Sequence, residues 1–329
     1  MEVERRSNLS YARFAREYML PRKPVIITDV LDECPARRKW TPEYFRERFG
    51  DRRLVTISGE MSMRDIVDGV RHPVGDRTPF LRESPIAWWL PEAMPDMAPH
   101  PCYAHPNWLS YPFACWPDLR HSGHASRLTR IGQIEMNFTG ANMRFPTLHV
   151  DLFRAHAFLM QWYGAKKFFI FPPEDTKYMY RKPGTWGSQV NDVVQPDLHR
   201  FPDFAKVHMT EFVLQPGEAY FNPTGWWHTT RTLDVSIGTA MSFANASNWK
   251  DVTDNLLMPE AALRSRLSCL SYRAYLRALG RWKLPHYVFP DTTDPGWCRD
   301  SLEHYRRTVG TWKGGSQGGV PGELGGAPH

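Results

Sequence analysis

The tripeptide His149-Val150-Asp151 places an imidazole and a carboxylate two positions apart. On an extended strand successive side chains alternate faces, so these two point the same way and can share one metal ion. A third ligand has to come from elsewhere, and His228, in Gly225-Trp226-Trp227-His228, is the best candidate. Two His and one carboxylate on one face of a divalent metal leave three positions open for reactants, the coordination used in non-haem Fe(II) oxidation. The tripeptide alone carries little weight. With 13 His and 35 acidic residues in 329 positions, chance supplies a His-x-acid pattern about as often as the single time it occurs. Its surroundings must carry the case.

Those surroundings are specific. An apolar run over 157–163 and a second over 165–173 read as two buried strands joined by a tight turn at Gly164, with Lys at the start of the second. Residues 211–214 read as a strand, 215–218 as a turn and 219–223 as a strand. Residues 225–228 then form a loop bearing the third ligand. Upstream, 131–138 alternates and predicts the strand before the metal strand; 236–243 predicts the last strand of a barrel.

Here the chain resembles the JmjC oxygenases, in particular the smaller cupin-like hydroxylases that include the factor-inhibiting asparaginyl hydroxylase. The resemblance runs from about Pro21 to Trp249. It rests on His149-x-Asp151, Gly164-x-Lys166, Phe171-Pro172-Pro173, Ser188-Gln189-Val190, Pro196-Asp197, Phe201-Pro202-x-Phe204 and Pro216-Gly217-Glu218 through Gly225-Trp226-Trp227-His228. It implies a mainly β fold with flanking helices, built on a double-stranded β-helix (jelly-roll, cupin) core. It also implies Fe(II) on His149, Asp151 and His228, with 2-oxoglutarate as cosubstrate and O2 as oxidant. Lys166 matches the family's cosubstrate lysine, with Lys167, on the opposite face, as the fallback. Asn137 falls on a strand that in the family faces cosubstrate or substrate, and a hydroxyl of Thr147 or Ser242 is a candidate to assist Lys166. The pattern also departs from the family's. Ala157 stands where many relatives have Asn, Pro146 where Thr or Ser is common, and the spacing from Asp151 to Lys166 is about two residues longer.

The reaction implied is hydroxylation of an unactivated C–H bond in an amino-acid side chain of a protein or peptide, or in a small amino-acid-derived metabolite. Lysine demethylation is the less expected outcome, since the acidic ligand is Asp and not Glu. Two alternatives stand beside it, an RNA-base hydroxylase of the same family and a non-catalytic metal-binding cupin module.

Composition bounds the rest. A 42% hydrophobic, 13% aromatic chain can bury a sizeable core. Its net charge of +6 is dispersed, without a long Lys/Arg block or a recognisable nucleic-acid motif, so an ordinary basic surface is the expectation. Five scattered cysteines without a Cys-x-x-Cys pair predict reduced thiols. A charged start and the lack of a long apolar run predict a soluble, cytoplasmic protein with no membrane partner.

Along the chain, Thr41-Pro42 and Ser62-x-x-Asp65 predict helix starts. Residues 1–20 predict a helix ending at Pro21, and 24–28 and 54–57 predict strands. Segment 72–126, rich in Pro, Trp and His, predicts loops. There Trp108, Tyr111, Phe113 and Trp116 either wall the substrate cleft or cover one end of the barrel. The pair His121-x-x-His124 lacks a Cys or acid partner. Segment 174–209 predicts an excursion across the barrel mouth in which His199 and His208 need no catalytic role. The organisation expected is a catalytic domain over 1–250, a helical segment over 251–312 and a disordered tail over 313–329. An amphipathic helix over 259–283 either packs back on the barrel or forms a homodimer, as C-terminal helices often do in the related hydroxylases.

Overall fold

In this computed structural model, residues 2–56, 59–72, 81–98, 102–104, 107–110, 134–255, 270 and 273–278 are described. Their strands are β1 (Glu4–Arg6), β2 (Val25–Ile27), β3 (Arg53–Thr56), β4 (Gly59–Ser62), β5 (Leu81–Pro85), β6 (Ile134–Thr139), β7 (His149–Val150), β8 (His156–Tyr163), β9 (Lys166–Phe171), β10 (Thr210–Leu214), β11 (Ala219–Asn222), β12 (Trp227–Thr232) and β13 (Ser236–Phe243). Among them, seven form one sheet in the order β1-β2-β11-β8-β13-β6-β5. Four form a second in the order β10-β9-β12-β7, and β3-β4 is a separate hairpin. Side chains from β6, β8 and β13 of the large sheet and from β9 and β12 of the small one line a common cavity, so the sheets face each other. This is a jelly-roll core.

Strand β8 shows how the sequence builds it. Ala157 and Leu159 turn into the cavity, while Phe158, Met160 and Trp162 turn outward into the main apolar core. That core is closed by the N-terminal elements: Phe14 lies 5.6 Å from Phe158, and Trp40 5.3 Å from Trp162. Such aromatic pairs add roughly 0.5–1.5 kcal/mol beyond the area they bury. Two helices that flank this core begin where the sequence places them. Thr41 caps Pro42–Phe49 by accepting from the Tyr44 amide, with Pro42 in the first turn. Ser62 and Asp65 form a reciprocal capping box for Met63–Arg71, and that helix buries Ile66, Val67 and Val70. The first helix, Tyr11–Phe14, continues as a π turn over Ala15–Met19.

Segment 174–209 covers the outer face of the small sheet with its apolar residues. Its Met179, Val190, Val193, Phe201 and Phe204 pack on the outward row Phe169, Phe171, Val150 and Trp227. It also runs beside β7, where the Val150 amide donates to the Trp186 carbonyl at 3.1 Å and the Ser188 amide to Leu148 at 2.8 Å. The physical reason is that β9 is apolar on both faces, Phe168 and Ile170 on one and Phe169 and Phe171 on the other, and the outer pair needs cover.

Gly164 makes the turn between β8 and β9 at φ +66°, and a Cβ there would lie 2.1 Å from the Val235 carbonyl oxygen. The buried Gln161 amide fastens the same turn by donating to the carbonyls of Tyr163 and Gly164, both at 2.8 Å.

After β13 the chain turns helical at Trp249–Asp254. Trp249 packs on Trp108 at 5.2 Å and belongs to a cluster with Leu276. Trp108 therefore covers the barrel and is not part of the cavity wall; Tyr111, Phe113, Trp116, His121 and His124 lie outside the described residues. Residues 273–278 are helical. Leu270 and Ala274 are exposed, while Leu276 is buried. The remainder of 259–283 and the tail beyond 313 lie outside the described residues. The buried Cys34 thiol donates to the Met97 carbonyl at 3.3 Å. Among the described residues no helix is long and apolar enough to cross a membrane.

Candidate metal centre

His149, Asp151 and His228 meet inside the jelly-roll. One ligand atom from each lies within 4.8 Å of the others. The convergence has a simple origin. Strand β7 pairs antiparallel with β12 so that His149 and His228 are direct partners, and cross-strand partners share a face. Their rings stand 4.2 Å apart. His228 is thus a strand residue and not part of a loop, as the sequence reading had it. The strand begins at Trp227, whose indole donates to Thr176 at 3.0 Å. Asp151 follows β7 in extended backbone, φ −54° and ψ 145°, so its carboxylate falls on the same side as His149.

The imidazoles are set up for coordination. Nδ1 of His149 lies 3.1 Å from the Thr147 carbonyl, which can only accept, so Nδ1 carries the proton and Nε2 is left as the coordinating nitrogen. His228 likewise donates to the backbone of Trp226, two residues back. Its Nε2 stands 4.0 Å from Oδ1 of Asp151. Burial pushes the His228 imidazole down to about 4, so it is neutral, as a metal ligand must be, through the physiological range. Burial raises the Asp151 carboxyl, against the opposing pull of His149 and of a hydrogen bond from Asn222. A carboxylate that resents its apolar surroundings is stabilised by a cation placed against it. Two neutral imidazoles and one carboxylate fit a ferrous ion with open positions.

The sequence candidates for the cosubstrate sort themselves by position. Lys166 lies in the cavity wall with the metal triad, across the ladder from Thr232. Its ammonium has no hydrogen-bond or ion-pair partner among the described residues, and burial alone pulls it down to about 8. Gly238 lies beside it: a Cβ there would meet Lys166 Nζ at 3.6 Å in ordinary contact and crowd Gln161 Oε1 and the Met160 carbonyl at 3.2 Å. Lys167 points out of the barrel and pairs with Glu211 at 2.9 Å. Asn137 and Ser242 line the same cavity; Thr147 does not, and its carbonyl serves His149 instead.

Several lining residues were not singled out by the sequence. Thr230 and Thr232 continue the inward row of β12 beyond His228. Phe145 stacks on His149 at 4.9 Å, and the Arg82 guanidinium lies 5.2 Å from the Phe145 ring. Glu135 and Arg144 join them. Behind the lining, the fully buried Asn222 was not singled out either, and its signal was available: an amide in an otherwise apolar strand, Ala-Tyr-Phe-Asn, just before the third ligand.

A β-helix with His-x-Asp and a cross-strand His turned into one cavity has the arrangement of a cupin-like metal site. Comparison with known proteins agrees. A family model described as a cupin-like domain matches residues 121–255. Lysine-specific demethylase 8 of Xenopus tropicalis is 28% identical over 249 residues, 69% of this chain and 49% of that protein. Arginine-specific demethylase JMJ20 of Arabidopsis thaliana is 24% identical over 279 residues, covering 75% and 59%. HSPB1-associated protein 1 of Rattus norvegicus is 33% identical over 154 residues, covering 41% and 30%. Over these residues the chain is similar to cupin-like and JmjC proteins. It spans about half the length of the demethylases it matches.

Proposed function

We propose that the protein is an Fe(II)- and 2-oxoglutarate-dependent dioxygenase that hydroxylates an unactivated C–H bond of an amino-acid side chain. Its target would be a protein or peptide, or a metabolite built from an amino acid. The observation that carries this reading is the pairing, in one cavity, of a His-Asp-His triad with a buried ammonium that lacks an anionic partner among the described residues. A buried cation without a counter-charge is costly unless a ligand supplies one. A dicarboxylate that reaches from the metal to Lys166 does so.

The residues divide the work. His149, Asp151 and His228 hold Fe(II), the two imidazoles by Nε2. The bound ion and 2-oxoglutarate supply oxidation by O2, one oxygen atom entering succinate as CO2 leaves and the other entering the substrate. Lys166 binds the far carboxylate, with Thr232 opposite it; Ser242 and Asn137, on neighbouring strands, contribute polar contacts to the same ligand. Ala157, Leu159 and Ala240 give the cavity an apolar side that excludes water. Arg82, Phe145 and Arg144 form the wall beside His149 that the substrate meets.

The names of the relatives, lysine- and arginine-specific demethylases, support a protein side chain as the target. Hydroxylation and N-demethylation share their first step, because oxidation of an N-methyl carbon gives a hemiaminal that loses formaldehyde. One experiment separates them. The full chain is loaded anaerobically with Fe(II) and 2-oxoglutarate, mixed with peptides or metabolites, and exposed to air. Succinate is expected even without substrate, slowly, and none from His149→Ala. A product heavier by one oxygen identifies hydroxylation; formaldehyde with loss of a methylene identifies demethylation. Bound iron without succinate under every substrate tried overturns the enzyme reading in favour of a binding module.

A further inference from the structure

We propose that Asn222 is the positioning residue that keeps Asp151 a one-oxygen ligand, so that the metal site retains its third open position. This rests on the reading of the triad as a metal site. Asp151 lies beyond the end of β7, outside any strand ladder, and is followed by two residues of left-handed backbone, Phe153 and Arg154. Nothing in the local backbone dictates which carboxylate oxygen faces the metal. Asn222 does so from the opposite sheet. Its amide nitrogen donates to Oδ2 of Asp151 at 2.7 Å, leaving Oδ1, the oxygen 4.0 Å from His228 Nε2, turned to the ion. The same nitrogen lies 3.2 Å from Nδ1 of His228, a packing contact and not a hydrogen bond, since that ring nitrogen carries its proton toward Trp226.

The amide is itself held. Tyr220, two residues earlier on the same face of β11, donates its hydroxyl to Asn222 Oδ1 at 3.0 Å. With Oδ1 engaged there and Oδ2 of Asp151 on the other side, only one orientation of the amide satisfies both neighbours. Strand β11 is a rigid base, wholly buried and paired with β2 and β8. Directly across the ladder from Asn222 stands Ala157, whose methyl leaves the reach to Asp151 clear. A carboxylate free to swing could coordinate through both oxygens and take a position that cosubstrate or O2 requires. Fixing Oδ2 elsewhere prevents that.

The test reads the metal and not turnover. Co(II) is titrated anaerobically into the full chain, recording its dissociation constant and visible ligand-field spectrum for wild type, Asn222→Leu and Tyr220→Phe. Asn222→Leu is expected to bind Co(II) roughly tenfold to hundredfold more weakly, as loss of a partner behind a metal ligand does. Its spectrum should change in band position and intensity as the carboxylate reorients. Tyr220→Phe, which keeps the ring and releases only the amide's anchor, should change both in the same sense and by less. An Asn222→Leu spectrum superimposable on wild type overturns the proposal, whether or not affinity falls, because a merely structural role weakens binding without altering coordination. Should Asn222→Leu fail to fold, Tyr220→Phe decides by the same spectral criterion. A wild-type chain that binds no Co(II) overturns the metal-site reading itself, a failure distinct from that of the clamp.

Discussion

His149 and His228, far apart in the chain, are antiparallel cross-strand partners whose rings stand 4.2 Å apart inside the barrel. Their backbone setting is also shared, since each ring donates a proton to a carbonyl two residues before it. A pair so constructed presents two Nε2 atoms without any rearrangement.

Replacing any one of His149, Asp151 or His228 by Ala should therefore weaken Fe(II) or Co(II) binding by about a hundredfold or more, since three protein ligands are the least that fix such a site. Calorimetric titration checks this. The same variants should make no succinate. Retention of wild-type metal affinity in His228→Ala would remove the centre from this cavity.

Lys166 should make the ligand-free protein less stable. Its pKa of about 8 in the fold lies below the ordinary 10.5, so the unfolded chain binds more protons between those values. Stability then rises with pH across that window, and the penalty is fully present below pH 8. Lys166→Met should stabilise the ligand-free chain by roughly 2–3 kcal/mol at pH 7 while abolishing 2-oxoglutarate binding. In wild type, oxoacid affinity should fall about tenfold per pH unit above 8 as the cation is lost. Urea denaturation and calorimetry measure both. A Met variant that is less stable and still binds the oxoacid would give the anion another partner.

Acid should act through His156. The ring is buried, accepts from the Thr224 amide at 3.0 Å and meets Ser247 Oγ at 3.0 Å. Burial, helped by Arg22, pushes it down to about 3. The unfolded chain protonates this residue near 6.5 while the fold resists, so stability is present above 6.5 and is lost as pH falls toward 3. The slope from this group alone is about 1.4 kcal/mol per pH unit. Metal-free wild type should lose roughly 2 kcal/mol more than His156→Gln between pH 7 and 5, read by chemical denaturation. Equal losses would show that the ring finds a way to charge in place.

Two glycines separate backbone strain from collision. Gly184, at φ +69°, has open space around it, whereas Gly164, at φ +66°, abuts Val235. Gly184→Ala should cost only about 1–2 kcal/mol of left-handed strain. Gly164→Ala should cost roughly 3 kcal/mol or more and should also weaken oxoacid binding, since Lys166 follows two residues later. Melting curves with and without 2-oxoglutarate test the pair.

Much of this protein was legible in its sequence because the relevant signals are local. Thr41 and Ser62 announce their helices through side chains that cap amides three residues on. The alternation of His149 and Asp151, and of Lys166 and Lys167, follows from the strand's period of two. That period says only that neighbours part ways. It does not say which of two lysines turns inward, and the tertiary structure assigned Lys166 to the cavity and Lys167 to Glu211. Pairing register decided the rest: that His228 lies on a strand opposite His149, that segment 174–209 covers the small sheet from outside, and that Asn222 reaches Asp151 across the barrel. Each of these depends on contacts between segments distant in the chain, set by which apolar rows need burial. A sequence read from one end to the other carries no local mark of them.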